Sequence, residues 1–437
     1  MEDFLKPEEI KSIEQLEAEV DKVLLIKDRG VVRMVCSTII ANRMTLDPVW
    51  LLLVAAPSGG KSELISAISG LDFVFPISDL TVNTFASGQK KVGKETSLLL
   101  KINNGIMAFK DFTSVLSKNK DAKKEIMGQL REIYDGEYVK RTGTGEDISW
   151  RGKVGAIAGC TEIIYRHLEE MDAMGARFIL YNIEQPERKL VARRMLENAH
   201  NIIEKRDHLK QCFKYYIEHV ISKLKESEIE LSEQIKEELV EVADFSTRVR
   251  SAVLTDFKSG LVDFVPTPEM PMRMISQLFA LASSFIAMSN AAPFNKDKKT
   301  KDGELTDFQK KLLYKTAFDS VPRTRRDALL PLAQYREGLS TAGLAVRLEL
   351  PTPSVGKYLS QLNALGICTR KKNGGKQGDH WQIKENYRKV LVDLYDIKII
   401  EGTLLADNVE DIDAGDEWDM VDSFKSSLET DSLDLDF

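Results

Sequence analysis

The sequence predicts an α/β protein, a parallel sheet flanked by helices, followed by a helical region, a small separate unit and an acidic tail. Three observations predict it. Apolar strand-like runs, "VWLLLVAA" at 49–56, "GIMAFKDF" at 105–112 and "GKVGAIAGCT" at 152–161, alternate with helical patterns. The first run leads directly into a glycine-rich turn that opens a helix. Beyond residue 186 the pattern becomes helical, and beyond 401 periodicity fades.

Taken in order, residues 1–45 read as two helices, "IKSIEQLEAEVDKVLLI" and "GVVRMVCSTIIANRM", each with apolar residues at helical spacing. Residues 46–185 hold the sheet, with "AKKEIMGQLREIYDG" as a helix ending at Asp135-Gly136. Residues 186–335 form a helical region and linker, clearest in "VRSAVLTDFKSG" and "PMRMISQLFALASSFIAM". Residues 336–400 form the small unit. Residues 401–437 are expected to be disordered. No internal repeat is visible.

The 437 residues are 43% hydrophobic and 30% charged, ordinary for a globular chain of two or three domains. Cys36, Cys160, Cys212 and Cys368 are scattered with no C-x-x-C pair. That spacing argues against a zinc site or a disulfide framework and fits a reducing cytosol. The charged N-terminus is not a signal peptide, and the apolar stretches 48–57 and 278–292 are too short or too polar to span a bilayer, so a cytoplasmic protein without a membrane partner is expected. The net charge of −7 conceals an asymmetry, because residues 401–437 carry −12 and the rest +5. A mildly basic body with an acidic tail is compatible with a nucleic-acid partner.

"VAAPSGGKSEL" at 54–64 has the composition of a phosphate loop, although Ala55 stands where the usual pattern has its first glycine. Small residues let backbone N–H groups point at phosphates, a lysine reaches the β- and γ-phosphates, and a hydroxyl holds Mg²⁺. Pro57, Ser58, Gly59, Gly60, Lys61 and Ser62 are therefore the expected ATP contacts, with Ser62 on the metal. A second strand should carry the acid that holds Mg²⁺ or positions water. One alignment of "GIMAFKDF" puts Lys110 and Asp111 at the two acidic positions. A shift by one makes Asp111 the metal-side acid and leaves Phe112 in the other place. Either way this strand offers one carboxylate, Asp111. Thr161 ends the third strand where a polar residue could sense the γ-phosphate. Arg177, in "AMGARFIL", suits a finger reaching into a neighbouring subunit's nucleotide.

"EYVKRTGTGEDISWRGKVG" at 137–155 reads as a β-hairpin around a Gly-rich turn, with Lys140, Arg141 and Lys153 as candidate phosphate contacts. In the small unit, "STAGLAVRLEL" is a Ser/Thr-capped helix, "PTPS" a turn with Pro353 at the first helical position, and "SVGKYLSQLNALG" a second helix ending at Gly366. "ICTRKKNGGKQGDHWQI" then gives two strands around a basic loop. This order is that of a winged helix, with Lys357, Tyr358, Arg370, Lys371, Lys372 and Lys376 as candidate DNA contacts; such modules also bind proteins. The tail, with Trp418, Phe424 and a terminal Phe437, resembles the acidic tails of bacterial single-strand-binding proteins, and it could recruit a protein partner or compete for the chain's own basic surface.

In their order, "APSGGKS", "MAFKDF", "GAIAGCT", "GARF" and "MPMRMISQLFALA" resemble an AAA+ ATPase over about residues 25–290. The resemblance is to the clade with a hairpin before sensor 1, which includes the minichromosome-maintenance helicases, and to helicase-like ATPases of phages and mobile elements. It implies an AAA+ sheet with a helical lid, ATP and Mg²⁺ bound between subunits of a ring such as a hexamer, and a hairpin that grips single-stranded or forked DNA in the pore. It places sensor 2 on Arg273. The N-terminal domain of minichromosome-maintenance proteins is not expected, since only about 45 residues precede the loop. A translocase or helicase, a loader or initiator, and a nucleotide-gated DNA-binding regulator all remain open, although no GAFTGA-like loop is present.

Overall fold

The computed structural model describes residues 4–86, 97–102, 104–141, 147–167, 177–256, 262–265, 267–292, 303–372 and 379–404. The chain divides into two compact units, residues 1–236 with 275–316 and residues 237–274 with 317–437.

In the first unit the apolar run after Pro48 becomes β1 (Trp50–Val54), every residue of it buried. Short strands β2 (Val74–Ile77) and β3 (Ile106–Phe109) follow, then the hairpin strands β4 (Glu137–Arg141) and β5 (Asp147–Arg151), then β6 (Gly155–Cys160) and β7 (Ile179–Asn182). Five of these form one parallel sheet in the order β2-β3-β6-β1-β7. Parallel strands are covered by helices on both faces, which is why β1, β3 and β6 read as unbroken apolar runs. The sequence pattern missed the two edge strands. β2 contains Pro76, paired opposite Ala108, and proline is tolerated on an edge because one side of the strand has no ladder to complete.

Aromatic rings fill the space beside β1. Trp50 meets Phe178 at 5.1 Å and Tyr134 at 5.3 Å, Phe112 meets Phe178 at 5.2 Å, and the Trp50 indole donates to the Val154 carbonyl at 2.8 Å. Ser12 caps the helix Ile13–Val23 through a reciprocal box with Gln15. The stretch read as a hairpin is one: β4 and β5 pair antiparallel with Tyr138 opposite Trp150 and Lys140 opposite Ile148. Its turn, 142–146, lies outside the described residues.

In the second unit, β8 (Leu254–Thr255) pairs with β9 (Val262–Phe264). β10 (Leu339–Ser340), β11 (Cys368–Lys371) and β12 (His380–Ile383) form an antiparallel sheet in the order β10-β12-β11. Between β10 and β11 lie the helices Thr341–Arg347 and Thr352–Ala364. The Ser340 hydroxyl caps the first, accepting from the Gly343 N–H at 2.9 Å. The second starts one residue earlier than the sequence suggested, so Pro353 occupies its second position, where the N–H would be unpaired in any case. Gly366 ends it with φ +74°. Val355, Leu359 and Leu362 enter a core with Trp381 and Leu344. Buried Arg325 ties that core together, donating to the Gln361 side chain and to the carbonyls of Val249 and Ser251.

Among the described residues one helix, Met272–Ala291, is long and apolar enough to cross a membrane by length and composition, and 72% of that stretch is buried in the protein. Residues 405–437, nearly all of the acidic tail, lie outside the described residues.

Candidate functional site

The loop between β1 and the helix Lys61–Ala67 is built from unusual backbone. Ala55 continues β1 by donating to the Cys160 carbonyl, so its place is in the sheet, and a glycine is not needed there. Ser58 (φ +63°) and Gly60 (φ +81°) both take the left-handed conformation. Such turns aim successive N–H groups into one concavity, a device for binding anions. A Cβ on Gly59 would sit 2.6 Å from Oε1 of Gln185 and 3.0 Å from the Ala56 carbonyl, so a larger residue would have to displace the Gln185 side chain and crowd the backbone. Lys61 is buried beneath this arch, with Nζ donating to the carbonyls of Ala55 and Ala56 at 2.7 Å each. Burial pulls its pKa below the ordinary lysine value, and the nearby Cys160 and Asp111 act in the opposite sense. Left-handed turns, an absent side chain and a buried lysine thus come together in one loop between β1 and the following helix.

β6 lies directly beside the loop. Gly159 is opposite Leu53 of β1, and a Cβ there would lie 2.8 Å from the Lys110 carbonyl and 3.4 Å from Cβ of Lys61. Glycine thus allows the loop lysine and the end of β3 to approach across β6. Ser62 Oγ lies 3.5 Å from the Lys110 carbonyl. Of the "FKDF" residues, Lys110 and Asp111 are exposed at the end of β3, and Asp111 accepts from the Thr113 N–H at 2.9 Å. Phe112 is wholly buried against Phe109 and Phe178, and its N–H donates to the Gly159 carbonyl. No chemical role is open to that position, so Asp111 is the carboxylate that β3 supplies. β6 lies between β1 and β3 in the sheet, and the loop and the end of β3 meet across it. Thr161 follows β6 between them, and Glu162 comes directly after it.

The structure therefore gathers Lys61, Ser62, Asp111 and Thr161 at the carboxyl edge of one sheet. It does not bring Arg177 there. Arg177 precedes β7, at the amino end of a parallel strand, so it lies at the opposite edge from its own loop. Its guanidinium pairs with Asp135 at 2.8 Å and lies over the Tyr134 ring, with 12% of its side chain exposed. Arg273 is in the second unit, 3.3 Å from Glu269, which also holds Arg250 at 2.7 Å.

The hairpin lysines differ from the sequence expectation. Lys140 turns inward, donating to the carbonyls of Val82 and Ala86 and to the Asn83 side chain. Lys153 caps the carboxyl end of the helix Gly30–Arg43, donating to the carbonyls of Ala41 and Met44. Both ammonium groups donate to carbonyls of their own chain, whereas Arg141 at the hairpin rim is exposed. Burial lowers the Lys153 pKa to about 8. A lysine pKa lower in the folded than in the unfolded chain means that the unfolded chain holds the extra proton between the two values. Stability from this group is therefore lowest below pH 8 and rises as pH climbs from about 8 towards the ordinary lysine value. Allowing for partial solvent screening, the rise is about 2 kcal/mol. Thermal melts of Lys153→Gln should lack this rising limb; an identical limb in the variant would assign it elsewhere.

In the second unit Lys357 on the second helix, Arg370 and Lys371 on β11 and Lys372 just after it are exposed. Arg370 pairs with Asp379 and lies over Trp381 at 5.3 Å. Lys376 lies outside the described residues. Sequence reading missed Gln185, which closes on the loop just past β7, and Glu162. The short run "FILYN" gave no recognisable strand signal, and Glu162 adjoins a residue chosen for its hydroxyl alone.

Neither a protein-family model nor a curated protein matches this chain.

Proposed function

We propose that this chain is a DNA-dependent ATPase of the AAA+ type, a translocase or helicase-like motor serving replication of a phage or mobile element. The observation that carries this reading is the arch Ser58–Ser62 with Lys61 buried beneath it and Asp111 on the same sheet edge. Lys61 would hold the β- and γ-phosphates, and the N–H groups of the arch would hold the phosphate oxygens. Ser62 and Asp111 would hold Mg²⁺, which supplies charge neutralisation to the departing phosphate oxygens. Thr161, which follows β6, would sense the γ-phosphate, and Glu162 beside it would be the second carboxylate that β3 lacks. Arg177 could serve only a neighbouring subunit, after leaving Asp135, and Arg273 retains the sensor role that the resemblance implies. ATP binding between subunits of a ring such as a hexamer follows from the same resemblance.

The second unit supports the DNA half of the reading. A strand, two helices and a two-stranded basic hairpin make the order of a winged helix, with Lys357 on the second helix and Arg370, Lys371 and Lys372 on the hairpin. A second reading, a helicase loader or nucleotide-gated regulator with slow turnover, is favoured by one specific observation: the inward-turned Lys140 and Lys153 leave Arg141 as the hairpin's exposed cation among the three proposed contacts.

Neutralising Arg370, Lys371 and Lys372 together should weaken binding to duplex and single-stranded DNA alike. It should also reduce the slope of log K against log salt by about 0.7–0.9 for each phosphate that is no longer neutralised. Anisotropy titrations at several salt concentrations measure both, with basal hydrolysis unchanged. An unaltered slope would remove the hairpin from the DNA surface. A strand-displacement assay on forked DNA then separates a motor from a loader.

A further inference from the structure

Far from the loop in sequence, three unlike donors converge within the first unit. Glu19 lies on the helix Ile13–Val23, and His208 and Cys212 lie one turn apart on the helix Ile202–Ser222. Their ligand atoms all fall within 4.8 Å of one another. His208 Nε2 is 3.0 Å from Oε2 of Glu19 and 3.2 Å from Sγ of Cys212. We propose that Glu19, His208 and Cys212 form a binding site for a divalent transition-metal ion of the zinc class.

The donor chemistry supports this choice. Carboxylate oxygen, imidazole nitrogen and thiolate sulfur are the zinc donor set, whereas Mg²⁺ and Ca²⁺ take oxygen alone. Tetrahedral bonds to such donors place the ligand atoms about 3.3–3.6 Å apart, so the two His208 spacings need to open by only a few tenths of an ångström, while the Glu19–Cys212 pair lies within 4.8 Å. The spacing His-x₃-Cys puts both side chains on one helix face, and a residue from a second helix completes the trio.

The surroundings are those of an oriented ligand set. Glu19 is wholly buried, and its other oxygen, Oε1, accepts from Lys22 Nζ at 2.6 Å and from the Leu5 N–H at 3.2 Å. That fixes the carboxylate with Oε2 turned towards His208, the outer-shell arrangement that tunes a metal ligand. The Phe4 ring packs edge-on against the imidazole at 4.7 Å, and the His208 side chain, 19% exposed, leaves a route for entry. Without a cation the Cys212 thiol stays protonated, since burial pushes its pKa up to about 12. Binding would release that proton to solvent and leave the thiolate on the metal. Three protein donors leave a fourth position for water. This site does not depend on the nucleotide reading.

The test uses the full chain, stripped with a chelator, re-equilibrated with Zn²⁺ alone or Co²⁺ alone, desalted and analysed for metal. About one tightly held equivalent per chain is expected. The Co²⁺ form should show a thiolate-to-cobalt charge-transfer band. His208→Ala and Cys212→Ser should lose the metal, and Glu19→Gln, which keeps the side chain's volume, should bind at least about tenfold more weakly. Cys368→Ala and Lys61→Ala should bind as the unaltered chain does. Circular dichroism identifies any variant that fails to fold, and the unaltered chain decides the matter by itself. Less than stoichiometric zinc in that chain, a Co²⁺ spectrum without the thiolate band, or metal retained by folded Cys212→Ser would overturn the proposal.

Discussion

If the proposed ATPase reading holds, Lys61→Ala is expected to lower ATP turnover by about 10²–10³-fold, the loss that follows removal of one preorganised cation or donor from developing charge. The expectation rests on where Lys61 sits. Its stem is buried against β6 and its ammonium donates to the carbonyls of Ala55 and Ala56, so the charge is already positioned inside the arch. Burial has lowered its pKa, a sign that its charge lacks full solvation and would gain from an anion. The fold should survive, because the sheet and aromatic core do not involve the ammonium. The two carbonyls lose one donor, a cost of about 1 kcal/mol that a thermal melt can read. Steady-state phosphate release, with a melt alongside, checks both halves. Turnover unchanged in a folded Lys61→Ala protein would remove the loop from the chemistry.

Asp111→Asn is expected to reduce Mg²⁺-dependent turnover by about 10²-fold while nucleotide binding persists. Asparagine keeps the side-chain oxygen that accepts from the Thr113 N–H, so the end of β3 holds its shape and only the charge is lost. The neighbouring Phe112 cannot compensate, being core against Phe109 and Phe178. Turnover measured across a Mg²⁺ titration, beside equilibrium binding of a fluorescent nucleotide, separates the two effects. Loss of binding together with turnover would make Asp111 a structural residue of the cradle.

The parallel sheet and the glycine-rich turn after β1 were legible in the sequence because they depend on short-range rules. A fully buried parallel strand must be apolar throughout, and a left-handed backbone favours glycine, as at Gly60, so β1, β3, β6 and the glycine pair of "SGGK" announce themselves. β2 was hidden by Pro76, which an edge strand tolerates and a central one does not. The lysines were legible as charges but not as partners. Whether an ammonium meets solvent or a carbonyl depends on chain brought from elsewhere: Asn83 for Lys140, and the end of the helix Gly30–Arg43 for Lys153. The same limit hid the trio Glu19, His208 and Cys212. Reading cysteines by C-x-x-C spacing finds sites made within one loop, whereas this trio joins two helices nearly two hundred residues apart.

The most direct measurement of the central claim is steady-state ATP hydrolysis by the unaltered chain, with and without single-stranded DNA. The account predicts Mg²⁺-dependent turnover that rises when DNA is added. A protein that neither hydrolyses ATP nor binds it, with or without DNA, would contradict the account.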